Sequence, residues 1–129
     1  NGFKVNSYTD SAQSEPTIAM DPAGNFVVAW FSTDWSDGTG FEIIARRFDK
    51  DCNPLGDDFH VNNYTDGFQS DPSAAMDDSG NFVIAWDGDG AGDDQGVFAR
   101  RFDSNGDPLG DEFLVTLLRM TLKQDHLLP

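Results

Sequence analysis

The heptapeptide Gly24-Asn25-Phe26-Val27-Val28-Ala29-Trp30 returns 56 residues later as Gly80-Asn81-Phe82-Val83-Ile84-Ala85-Trp86. A duplicated segment is expected to fold into the same shape twice. A unit this short cannot bury a core alone, so the copies have to lean on one another or on a partner. The same register carries Phe3 onto Phe59, Tyr8-Thr9-Asp10 onto Tyr64-Thr65-Asp66, Gln13-Ser14 onto Gln69-Ser70, and Ala19-Met20-Asp21 onto Ala75-Met76-Asp77. After the Trp the offset shrinks to 54, where Ala45-Arg46-Arg47-Phe48-Asp49 matches Ala99-Arg100-Arg101-Phe102-Asp103 and Pro54-Leu55-Gly56-Asp57 matches Pro108-Leu109-Gly110-Asp111. The two-residue difference marks the segment between Trp and Ala-Arg-Arg as a surface loop free to vary.

Each copy offers four short β-branched and aromatic runs separated by Asp-first, Gly-last turn chemistry. Strands are predicted near Thr17 to Met20, Asn25 to Phe31, Phe41 to Phe48 and Asp58 to Asn62. Their counterparts fall near Ser73 to Met76, Asn81 to Trp86, Val97 to Phe102 and Glu112 to Thr116. The predicted fold is all-β: two four-stranded antiparallel repeats stacked as propeller-type blades, in a ring left incomplete or completed by oligomerisation. Stacked sandwich repeats are the rival arrangement. Residues 1–116 hold the two repeats, about 3–58 and 59–112, plus the first strand of a third. Residues 117–129 form a non-repeat tail whose Leu and Met spacing permits a short amphipathic helix. The N-terminal Asn1 to Asn6 matches Asp57 to Asn62 inside the repeat, which reads as an N-terminus cut from something longer or from a precursor.

With 23 acidic against 8 basic residues, the formal net charge is −15. Such a chain repels nucleic-acid phosphates and anionic membranes, so neither is an expected partner. No apolar run approaches the ~20 residues of a membrane-spanning helix, so no membrane insertion is expected. Cys52 is the only cysteine, which leaves no intramolecular disulfide and no thiolate cluster for zinc. It stands in a turn where the other copy has Gly106, as an incidental, partly exposed thiol.

The motifs Tyr-Thr-Asp, Gln-Ser-x-Pro, Ala-Met-Asp, Gly-Asn-Phe-Val-x-Ala-Trp, Ala-Arg-Arg-Phe-Asp and Pro-Leu-Gly-Asp together make the chain resemble a repeat seen in large secreted or cell-surface bacterial proteins. The resemblance covers residues 1–116 and implies a propeller-like fold, an extracellular or cell-surface location, and a neighbourhood of calcium-dependent adhesion modules. It carries over no catalytic residues, and the tail departs from it.

The most suggestive segment for a ligand is Asp87 to Gly96, expected to be a loop. Asp87, Asp89, Asp93 and Asp94 lie among glycines there and could supply oxygen ligands to calcium. The EF-hand order fails, and a solvated acidic loop is the alternative. Trp35, in the corresponding loop of the first copy, could stack on a sugar face or fold back on its own sheet edge. Trp30 and Trp86 read as core. One arginine of each Arg-Arg pair is expected to point into the stack and meet a carboxylate such as Asp21 or Asp77, a salt bridge repeated in each unit. His60, replaced by Lys4 and Leu114 elsewhere, reads as outward and unconstrained. Nucleophilic, zinc and nucleotide chemistry lack their parts, so no catalytic residue is assigned. The leading functional reading is a non-enzymatic extracellular scaffold or adhesion module that self-associates to complete or cap the stack. The alternatives are a lectin-like carbohydrate binder, with calcium or without it, and a glycan-acting hydrolase or lyase fragment.

Overall fold

The computed structural model describes residues 2–7, 12–33, 41–63, 67–90 and 93–115, with the backbone alone at 90 and 93–95. The C-terminal tail beyond Val115 lies outside the described residues, and so does Trp35. Two four-stranded antiparallel sheets account for the fold. The first is ordered β1 (Gln13–Met20), β2 (Phe26–Thr33), β3 (Phe41–Phe48) and β4 (Phe59–His60). The second is ordered β5 (Gln69–Met76), β6 (Phe82–Gly90), β7 (Asp93–Phe102) and β8 (Phe113–Leu114). All eight expected strands are present and β3 has the expected bounds. The sheets run out of phase with the sequence repeat, because β4 comes from residues that open the second copy.

The strand limits differ from expectation for physical reasons. β1 and β5 begin four residues early, since a bulge carries pairing past the proline: the register shifts between Ser14 and Thr17 and between Ser70 and Ser73. Glu15 and Asp71 take positive φ there, at 56° and 53°. Pro16 and Pro72, which have no N–H to donate, are tolerated because each sits at a bulge on an edge strand. The segment Asp87 to Gly96 is largely strand rather than loop, with Asp87 paired to Val97 and Gly90 to Asp93. Its glycines permit the close pairing: Gly88 has φ 136°, and a Cβ there would lie 2.0 Å from the Phe68 carbonyl oxygen.

One turn design is used four times. Asp77 Oδ1 accepts the Asn81 backbone N–H at 2.9 Å and Oδ2 accepts its side-chain amide at 3.0 Å, while Gly80 N–H donates to the Asp77 carbonyl at 3.1 Å. Asp21 with Asn25, Asp49 with Asn53, and Asp103 with Asp107 repeat the backbone part of this pattern. Hydrogen bonds from Asn53 hold Asp49 below the usual carboxylate range, and those from Asn81 do the same for Asp77. Burial pushes Asp21 up, but its bonds from Asn25, Ala23 and Gly24 together outweigh that and leave it lowered as well.

Period-two alternation gives each sheet two distinct faces. On the first sheet Phe26, Val28, Trp30, Ile44 and Phe48 form an aromatic face, and Val27, Ala29, Ile43 and Ala45 form an aliphatic one. The main core forms where this aliphatic face meets the aromatic face of the second sheet, made by Phe82, Ile84, Trp86, Phe98 and Phe102. Trp30 and Trp86 are both buried, at 4 % and 1 % exposure, as the sequence predicts. Phe59 of β4 leans across the joint, with its ring 5.6 Å from Phe102. The N-terminal segment repeats that contact one unit earlier, placing Phe3 5.7 Å from Phe48 and Val5 on the aromatic face of the first sheet.

Candidate functional site

Arg46 and Arg100 are placed at the joints between units. Arg46 donates from Nε to the Gly56 carbonyl at 2.8 Å and from Nη1 to the Val5 carbonyl at 3.0 Å. Arg100 does the same to Gly110 at 2.9 Å and Val61 at 3.2 Å. Each guanidinium also lies over its own strand's phenylalanine, 5.6 Å from Phe48 and 5.7 Å from Phe102, a favourable cation–π geometry. The acidic neighbours of Arg46 are Asp58 at 3.8 Å and Asp57 at 3.9 Å. The expected partners Asp21 and Asp77 are instead committed to their own turns, because an Asp at the head of a tight turn finds backbone N–H groups at closer range. Arg47 crosses from the first sheet to the second and donates to the Ser104 carbonyl at 3.1 Å.

Carboxylates complete the joints. Both Asp58 oxygens accept the Ser7 N–H, at 3.0 and 2.9 Å. Glu112 accepts the Asn63 N–H at 2.9 Å, and Asn63 Oδ1 accepts the Glu112 N–H at 2.8 Å.

Among the described residues, departures from the repeat gather at the solvent-facing end of the sheets where β2 ends and β3 begins. Phe31, Phe41 and Phe68 gather there, with ring centroids 5.7 Å apart for Phe31 and Phe41, 4.7 Å for Phe41 and Phe68, and 5.6 Å for Phe31 and Phe68. Phe41 and Phe68 are 38 % and 45 % exposed. Beside them a groove of about 550 Å³ runs between Phe68, Ser70, Asp87, Asp89 and Val97. Asp89 fixes one wall: its Oδ2 accepts the Phe68 N–H at 2.9 Å, and its own N–H donates to the Phe68 carbonyl at 2.8 Å. Asp87 is raised above the usual carboxylate range, first by burial and then by the charge of Asp71, a hydrogen bond with it, and the charge of Glu15.

Of the four proposed calcium ligands, Asp87 and Asp89 lie on β6 and the backbones of Asp93 and Asp94 on β7; the side chains of the latter two lie outside the described residues. Asp87 and Asp89 both line the groove, and Asp89 directs Oδ2 to the Phe68 N–H. Among the described residues no group of three His, Cys, Asp or Glu is arranged to hold a metal ion.

Sequence reasoning missed two features. The phenylalanine trio has a signal: its members stand where the other copy has Asp87, Gln95 and Ala12, so three departures from the repeat converge in space. The second is internal to β3 and β4. Glu42 is fully buried, and its Oε2 is hydrogen-bonded with His60 Nε2 at 2.6 Å, so His60 is held inward rather than free. Gly96 and Leu114 replace this pair in the second unit, and the joint replacement is the signal. Cys52 is exposed, with φ 67°.

Three aromatic faces beside carboxylate acceptors suit stacking on an apolar ring face and acceptance of hydroxyl hydrogens. No protein-family model and no curated protein sequence matches the chain.

Proposed function

We propose that the chain is a non-enzymatic β-repeat scaffold or adhesion module of an extracellular or cell-surface protein, its two sheets stacked as propeller-type blades. The observation that supports this reading is the repetition of the joint. Arg46 and Arg100 grip carbonyls of the preceding and following segments in the same way, so these charges serve connection between units. Repeat arrays gain stability from each added interface. A chain extended by a third copy of residues 59–114 should therefore melt several degrees higher and in a single transition. An added copy that melts separately, or leaves the midpoint unmoved, counts against stacking. Polysaccharide turnover that disappears on replacing an acidic hairpin residue would install the glycan hydrolase or lyase reading in its place.

The phenylalanine trio favours a second reading, a lectin-like carbohydrate binder. Binding on a glycan array, abolished by Phe68→Ala or by Trp35→Ala, would establish it. Calcium at Asp87, Asp89, Asp93 and Asp94 is tested by melting in millimolar Ca²⁺ against EDTA, and an unmoved midpoint rejects it.

A further inference from the structure

The internal joint is heterologous: the aliphatic face of one sheet takes the aromatic face of the next. Among the described residues, two such sheets leave one face of each kind at the ends, and several residues there are more exposed than their internal counterparts. At the second sheet's free end, Val97 is 38 % exposed, whereas its equivalent Ile43 is fully buried. At the first sheet's free end, the centre of the aromatic face is buried but its β1 margin is open. Ile18 and Met20 stand 57 % and 56 % exposed there, while their equivalents Ala74 and Met76 are partly buried and pack into the core.

A cleft makes the same point. At the internal joint, Arg47 and Leu55 of the first sheet meet Met76, Gly80 and Ser104 of the second around a space of about 200 Å³. The corresponding walls on the second sheet, Arg101 and Leu109 with Val83, border an open cleft of about 540 Å³.

We infer that this cleft and the face around it receive a second copy of the chain, head to tail, in the register of the internal joint, with Phe113 of β8 taking over the place that the incoming copy's own Phe3 holds against Phe48. Met20 of the incoming copy takes the place that Met76 takes internally. Arg101 donates to the incoming Lys50 carbonyl, as Arg47 donates to that of Ser104. The assembly rests on the stacking reading above and names its partner. A heterologous contact leaves a free face on every added chain, so it grows into a closed ring or an open filament and does not stop at a symmetric dimer.

Two variants at exposed positions separate the possibilities. Val97→Asp blocks the second sheet's end and Met20→Asp blocks the first sheet's end, with Arg101→Glu as a second block at the cleft. Sedimentation of the unaltered chain should show a concentration-dependent mass above 14.2 kDa. Each variant alone should be monomeric with an unchanged far-ultraviolet circular dichroism spectrum. Mixing Val97→Asp with Met20→Asp should restore one complex of one copy of each. An unaltered chain that stays monomeric up to about millimolar concentration, variants that still dimerise singly, or a mixture that forms no complex each overturns the proposal. If these fail while a fused third unit still raises the melting temperature, stacking within a chain stands and assembly between chains falls.

Discussion

Cys52 is a residue in the wrong conformation for its type. It occupies the left-handed position of a turn, at φ 67°, where the equivalent turn has Gly106 at φ 85°. A side chain there crowds its own backbone, and glycine does not. Cys52→Gly should stabilise the fold by roughly 0.5–1 kcal/mol, read as a higher melting temperature. The turn carboxylates set the acid response. Asp49 and Asp77 are lowered in the folded chain by their hydrogen bonds from Asn53 and Asn81, so the stability they lend is complete above the ordinary value of 3.8 and is lost as pH falls through their lowered values. Asp87 runs the other way, being raised by burial and by Asp71 and Glu15. Its ionisation costs stability above the raised value, and that cost vanishes once acidification protonates it. Asp87→Asn should therefore raise the melting temperature at neutral pH and change it little below the ordinary carboxylate range; an equal rise at both would reject this account.

The β3–β4 pair shows how one element can depart from its repeat. Glu42 is fully buried against His60, and the second unit replaces both with Gly96 and Leu114. Removing the imidazole alone takes a 2.6 Å partner from a buried carboxylate, which is expensive in a medium with little water to replace it. His60→Leu should destabilise by roughly 2–3 kcal/mol in urea titration, and His60→Leu combined with Glu42→Gln should recover most of the loss. A double variant that loses the sum of what His60→Leu and Glu42→Gln each lose singly would show that the pair is not coupled. β6 and β7 depart differently. Glycines and aspartates that read as a loop continue as a paired hairpin, because Gly88 admits the Phe68 backbone at a distance no side chain tolerates. Propensity alone underestimates such strands, since the pairing is fixed by Phe68 and Gln69 at the entry to the adjacent strand β5.

At the scale of the whole molecule, the two sheets share one core, so they should unfold together. Trp86→Ala removes the largest fully buried side chain from that core and should cost roughly 3–5 kcal/mol, with near-ultraviolet and far-ultraviolet signals lost in one coincident transition. Separate transitions would mean that the sheets are independent. The sequence by itself determined that the chain is all-β, that it has eight strands in two equivalent sets, and that Trp30 and Trp86 are core. Repetition and period-two alternation are properties of a single strand and its turn, and both are written locally. Only the tertiary structure decided which face of one sheet covers which face of the next, and that Arg46 and Arg100 grip backbone carbonyls rather than the turn aspartates. The same holds for the gathering of Phe31, Phe41 and Phe68 at one end, and for the inward turn of His60 towards Glu42. Those outcomes depend on groups distant in sequence, 18 residues apart for the buried pair and 41 for Arg46 and Val5. No local pattern encodes such meetings, because they are set by how two twisted sheets fill the space between them.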